Sequence, residues 1–206
     1  MKIFQFLFCA SLFLLSGTYV LAQGGHRVMM NVNYSVNVPT GNFKEYLGQT
    51  SFRGWTANIT YKLNEKIAIG ATTGFQDFYE KTDRAMYKDA EGSDISAVVT
   101  NSIQTIPLLA TLHYSLSTGQ SIQPYLGLGV GGNLIMHSRY LGQFANDNNK
   151  LGVAARPVAG IFVPVRKGSE SGVNISGAFN FMPYNEDGLK NVNSWAINVG
   201  AKFPLR

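Results

Sequence analysis

Val28-Met29-Met30-Asn31-Val32-Asn33-Tyr34-Ser35-Val36-Asn37-Val38 alternates without a break. Val28, Met30, Val32, Tyr34, Val36 and Val38 fall on one face, and Met29, Asn31, Asn33, Ser35 and Asn37 on the other. Successive side chains of a strand point to opposite sides, so a period of two predicts an extended segment with one apolar face and one face of small polar groups. Residues 55–63 repeat the pattern, with Trp55, Ala57, Ile59, Tyr61 and Leu63 set against Thr56, Asn58, Thr60 and Lys62.

The same alternation recurs along the chain and predicts eight strands: residues 28–38, 55–63, 67–78, a fourth ending at 116, 123–136, 152–165, 173–182 and 195–205. The connections alternate long (39–52, 79–97, 137–151, 185–193) and short (64–66, 117–121, 166–171). Amphipathic strands can cross a bilayer only as a closed barrel, because every backbone amide there must be paired within the protein. A soluble barrel would turn its apolar face inward and need charge outside. Here the polar face is Asn, Ser, Thr and Gly, and its strand interiors carry only Lys62, Arg156 and Lys202 as charges. Charged residues are 14% of the chain, against about 25% in ordinary soluble domains. Trp55, Tyr61, Tyr114, Phe181, Trp195 and Phe203 lie near strand ends on the apolar face, where interfacial aromatic girdles form. The fold expected is all-β: an eight-stranded antiparallel up-and-down transmembrane β-barrel preceded by a signal peptide.

That signal peptide is read over residues 1–22, with Lys2, an apolar run over 3–15, and Val20-Leu21-Ala22 before the cleavage point. Cys9 is the only cysteine and lies inside that run, so residues 23–206, the barrel domain, carry no thiol chemistry. The 17 Lys and Arg against 12 Asp and Glu are scattered, which argues against nucleic-acid binding. With an even strand count both termini are expected on the periplasmic side of a Gram-negative outer membrane, and the long loops outside.

Three stretches carry a family resemblance: Pro39-Thr40-Gly41-Asn42-Phe43, Ile106-Pro107-Leu108-Leu109-Ala110-Thr111-Leu112-His113-Tyr114 and Pro124-Tyr125-Leu126-Gly127-Leu128-Gly129-Val130-Gly131. In order and spacing they resemble the outer-membrane β-barrel domain family, similar to the small OmpA, OmpX and OmpW barrels. The resemblance implies contact with outer-membrane lipids and the barrel assembly machinery. Many such barrels end in an aromatic that this machinery reads; this chain ends Lys202-Phe203-Pro204-Leu205-Arg206, leaving Phe203 as the candidate.

No catalytic, cofactor or metal site is expected. Residues 127–132 satisfy G-x-G-x-x-G, but the motif needs a following helix, and here the glycines alternate with Leu126, Leu128 and Val130 as one face of a strand. His113-Tyr114-Ser115 resembles the His-x-Ser pair of outer-membrane lipid A deacylases. The position of their carboxylate falls on Gly127, and alternation points His113 and Ser115 into the lumen. His26, His113 and His137 show no ligand spacing.

The expected role is a structural or adhesive envelope barrel, with a narrow porin-like or OmpW-like channel as the alternative and a lipid-modifying enzyme more distant. Any extracellular ligand is expected at loops 79–97 and 137–151. Lys62 and Lys202 are expected to flank the periplasmic mouth near Glu65 or the C-terminal carboxylate. Lysine is expected to be tolerated better at lumen-facing Asn58 than at Ile59.

Overall fold

The computed structural model describes residues 27–81, 85–88, 94–97, 99–141, 144–166, 168–186 and 189–205. Residues 1–22, read as a signal peptide, and His26 lie outside the described residues. The alternating segments form β1 (Val28–Pro39), β2 (Ser51–Lys62), β3 (Ile67–Lys81), β6 (Val99–Ser115), β7 (Gln123–Leu141), β8 (Phe144–Pro164), β9 (Gly172–Asn180) and β12 (Ser194–Pro204). These eight close into a barrel in chain order, each antiparallel to the next, with β12 returning to β1. Two small hairpins stand outside the barrel wall: β4 (Ala85–Lys88) with β5 (Asp94–Ala97), and β10 (Pro183–Glu186) with β11 (Leu189–Asn191). A single helical turn, α1 (Asn42–Tyr46), comes after β1.

Pairing fixes the tilt of the wall. The Arg27 carbonyl accepts the Lys62 N–H. From Lys62 the cross-strand partners run through Ala68, His113, Gly127, Val158, Ala178 and Ala196 and return to β1 at Asn37. One circuit thus climbs ten residues along β1, the stagger that tilts strands to about 35–45° and leaves a bore wide enough only for side chains.

Inside and outside follow the alternation. Asn33, Ser35 and Asn37 are buried while Val32, Tyr34 and Val38 are exposed, and Thr56, Asn58 and Thr60 are buried against exposed Trp55 and Ile59. The exposed face continues around the wall through Leu108, Leu112, Leu126, Leu128, Ile175, Ile197 and Val199. An exterior of this kind suits hydrocarbon rather than water. Tyr61, Tyr114 and Phe203 each stand one residue from the end of β2, β6 and β12 at the end of the barrel that bears the termini. Trp55, Phe181 and Trp195 lie toward the opposite, loop end, where Arg53 pairs with Asp77 at 3.3 Å and stacks over Tyr79.

The glycines of β7 are spacers for the crowded bore. A Cβ on Gly127 would stand 3.2 Å from the His113 ring, and one on Gly129 3.2 Å from Leu109 Cδ1. Across the next strand pair, a Cβ on Gly160 would meet the Tyr125 ring at 2.8 Å. Glycine here makes room for a neighbour's bulk; the motif continues as strand, not helix.

Three connections differ from the reading of the sequence. Residues 137–141 and 144–151 are strand rather than loop: β7 continues to Leu141 and β8 starts at Phe144, and the two are paired along these stretches. Residues 79–97 are shortened as a loop, because β3 runs to Lys81 and the remainder includes the β4–β5 hairpin. β2 begins at Ser51 rather than 55. In each case the sequence becomes more polar, yet the backbone still finds ladder partners. β6, β7 and β8 reach 17, 19 and 21 residues, against the roughly 9–11 that a tilted strand needs to cross hydrocarbon. Leu134 opposite Leu151 is the last aliphatic pair on their outer face, followed by Met136 opposite Asn149.

Ile59→Lys is expected to destabilise the folded barrel by about 2–4 kcal/mol, read from urea unfolding in lipid vesicles. Asn58→Lys is expected to be the milder change of the two, yet not a neutral one. Asn58 donates to Thr72 and Thr111 and stands 3.3 Å from His113 Nε2, so its loss is expected to cost at least about 1–3 kcal/mol.

Candidate functional site: a plugged lumen

The loop half of the bore is apolar. Phe78 on β3, Ile103 and Leu109 on β6, Ile135 on β7 and Ala154 on β8 face inward and are buried. Phe43 and Leu47 from the α1 turn enter from one side, and Met182, Tyr184, Leu189 and Val192 from the region around β10 and β11 enter from the other. Phe43 meets Phe78 edge-on with centroids 4.8 Å apart. Tyr46 lies against this cluster with its hydroxyl 3.1 Å from His137 Nε2. His137, read as the start of a loop, is therefore a buried residue of β7 inside the barrel. Asn42 Oδ1 accepts the Lys190 N–H, and Gly48 N–H donates to Glu80, pinning the segment over the mouth.

The turn that supplies the plug is a short amphipathic one. Phe43, Tyr46 and Leu47 have the spacing of three and four that places side chains on one helical face. That was the signal available in the sequence, and the preceding Pro-Thr-Gly turn masks it.

Two residues further down each strand the lining turns polar: Gln76 below Phe78, Thr105 below Ile103, Asn133 below Ile135. An amide and hydroxyl network fills the rest. Asn33 joins Thr56 and Asn174, Asn58 joins Thr72 and Thr111, and Asn180 joins Ser194 and Asn37. Asn198 is its hub: Oδ1 accepts from Ser35 Oγ at 2.7 Å and from Arg156 Nη2 at 3.0 Å, while Nδ2 donates to Ser176 Oγ.

The three lumenal cations sit at different depths. Arg156 is only 4% exposed, midway along the bore. Lys62 and Lys202 line the mouth at the terminal end together, with the Lys202 ammonium 5.0 Å over the Phe162 ring. Lys62 is paired at 2.7 Å with Glu170, from the turn after β8, and Glu65 lines the same mouth, while the C-terminal carboxylate lies outside the described residues. Nothing in the local pattern of the 166–171 turn marked Glu170, because its reach across the mouth arises only from barrel closure.

His113 and Ser115 both face the lumen and line the same cavity near that mouth. The neighbours of the His113 ring are the Asn58 amide and the Tyr125 ring, at 5.7 Å between centroids. Among the described residues no group of three His, Cys, Asp or Glu is placed to hold a metal ion.

No family model matches the sequence, and no curated protein matches it. Solved structures do. The crystal structure of Neisserial surface protein A (NspA) aligns with 86% of this chain and 96% of its own, at 14% identity and a TM-score of 0.51. The N-terminal β-barrel domain of Pseudomonas aeruginosa OprF aligns over 88% of this chain and 100% of its own, at 12% identity and a TM-score of 0.48. The outer membrane protease OmpT from Escherichia coli aligns over 92% and 100%, at 10% identity and a TM-score of 0.48. With the closed register and apolar exterior, the likeness to NspA defines the class: a small eight-stranded β-barrel of the outer-membrane type.

Asn198→Leu removes the acceptor of both Ser35 and Arg156. We expect a loss of about 2–4 kcal/mol of folding stability, two unpartnered buried donors at about 1–3 kcal/mol each with partial relaxation. Glu170→Gln, at a half-exposed pair, is expected to cost under about 1 kcal/mol in the same unfolding assay.

Proposed function

We propose that this chain is a non-conducting outer-membrane barrel with a structural or adhesive role, carried by the raised sheet of β6, β7 and β8 and the β4–β5 hairpin at its loop end. The observation that carries the reading is the apolar plug: the loop half of the bore is filled by eleven buried residues, through which hydrated solutes have no polar path. The remaining polar space is a blind lumen open toward the terminal end. The strands that outrun the membrane belt present a rigid, paired surface rather than mobile loops, a scaffold of the kind on which recognition residues are commonly placed. Phe203 offers the assembly machinery an aromatic next to the end of the last strand.

The channel reading draws its support from the polar cavities near the terminal end. It requires α1 and the β10–β11 segment to leave the bore. In planar bilayers the refolded protein is expected to be electrically silent, and the double variant Phe43→Asp, Leu47→Asp is expected to show openings. Steady ohmic conductance from the unaltered protein overturns the non-conducting reading.

Orientation is tested separately. The proposal puts both termini in the periplasm, so trypsin added to intact cells should cut within residues 81–94, at Lys81, Arg84 or Lys88, and leave the barrel in the membrane. Cutting only after the outer membrane is permeabilised reverses the topology.

A further inference from the structure

Arg156 is a full positive charge in the middle of the bore with no carboxylate to meet it among the described residues. Its Nη2 donates to Asn198, and its Nη1 has no partner among them. Beside it lies a cavity of about 40 Å³, lined by the amides of Asn33, Asn58 and Asn198, the hydroxyls of Thr111 and Ser176, and Arg156 itself. No carboxylate of the described residues lines that cavity. The inward-facing acids among the described residues lie beyond it at either end. Glu80 is held by Gly48 above the plug, while Glu65 and Glu170 stand at the terminal mouth, Glu170 paired with Lys62. An unpaired buried ion costs several kcal/mol even after relaxation, and the neutral amide that Arg156 touches removes only part of that cost.

We propose that the lumen holds a small inorganic anion, of the size of chloride, as the counter-ion of Arg156. The geometry favours it on three grounds. The free Nη1 and the surrounding amide and hydroxyl groups supply donors, which an anion needs and a cation does not. The cavity, of about 40 Å³, has room for a monatomic ion. Access runs from the terminal mouth. The outermost cavity, whose charged lining is Arg27, Lys62 and Lys202 with Glu65 and Glu170, shares Gln123, Phe162 and Lys202 with the next. That one shares Asn31, Asn58, His113 and Tyr125 with the cavity at Arg156. An anion entering from that side passes a mouth of three bases and two acids, of which Lys62 and Glu170 are paired, and reaches Arg156 last, where the plug stops it. The site stands whether or not the barrel proves to be adhesive, because it depends only on the lumen.

The experiment compares unfolding rates of the refolded full-length barrel in sodium chloride and in sodium gluconate at equal ionic strength, since gluconate is too large for the cavity. Chloride is expected to slow unfolding saturably, by about tenfold when present at ten times its dissociation constant. Asn198→Asp places a carboxylate where the Arg156 hydrogen bond now ends, keeps the acceptor for Ser35, and is expected to unfold at the same rate in both salts. Arg156→Met is expected to lose the difference as well. Equal rates for the unaltered protein in the two salts overturn the proposal, and so does a chloride effect that persists in either variant, which marks a general salt effect. If neither variant folds, crystals of the unaltered protein grown in bromide decide: an anomalous peak beside Arg156 Nη1 supports the site, and its absence overturns it.

Discussion

Everything in this molecule depends on the pairing of β1 with β12. A sheet with an apolar exterior cannot leave an edge open in hydrocarbon, where each unpaired amide costs several kcal/mol. Eleven residue pairs along that seam, from Met29 opposite Pro204 to Pro39 opposite Ser194, remove the edge. Closure at a stagger of ten residues then sets the bore, and the bore decides which side chains can coexist inside. The run of Gly127, Gly129 and Gly131 on β7, and Gly160 opposite Tyr125, follow from that width rather than from any ligand.

A narrow bore can be filled in two ways, and this barrel uses both. Toward the loops it is filled like the core of a soluble protein, with Phe43, Leu47, Phe78 and Ile135 excluding water. Toward the termini it is filled with short amides and hydroxyls that bond to one another across the lumen, as Asn33 does to Asn174 and Ser35 to Asn198. The apolar half gains from burial without needing partners. The polar half binds strands that are not neighbours, and each of its groups is costly if left alone. On two strands the boundary falls within two residues, between Gln76 and Phe78 on β3 and between Asn133 and Ile135 on β7, whereas on β6 the apolar Leu109 lies below Thr105.

The barrel was legible in the sequence because its outer face answers to one solvent. Val32, Ile59, Leu112 and Ile197 face hydrocarbon, and their period of two names both strand and side. The same signal misled where the solvent changes. Beyond Leu134 and Leu151 the outer face meets water, so its residues turn polar while the ladder continues to Leu141 and Phe144. Polarity there reported the end of the membrane, not the end of the strand. The three lumenal cations were legible as interruptions of a neutral face, whereas their surroundings were not. Glu170 reaches Lys62 across 108 residues of sequence, and Asn198 reaches Arg156 across 42. Such partnerships appear only once closure brings distant strands face to face. The plug was hidden for a related reason: Phe43 and Leu47 pattern as one turn of helix, too short to register against a loop.

Asn42 and Lys190, joined by a hydrogen bond, are 148 residues apart in sequence, and Thr40 is tied to Asn193 beside them. These contacts clasp the loop end of the seam, fastening the segment after the first strand to the segment before the last. None of them can form while the two edge strands are apart. Contacts that form only once the seam has closed act on the rate at which it reopens rather than on the rate at which it closes. The α1 turn is thus a latch as well as a stopper. The seam is fastened, beyond its own ladder, by residues outside the two paired strands.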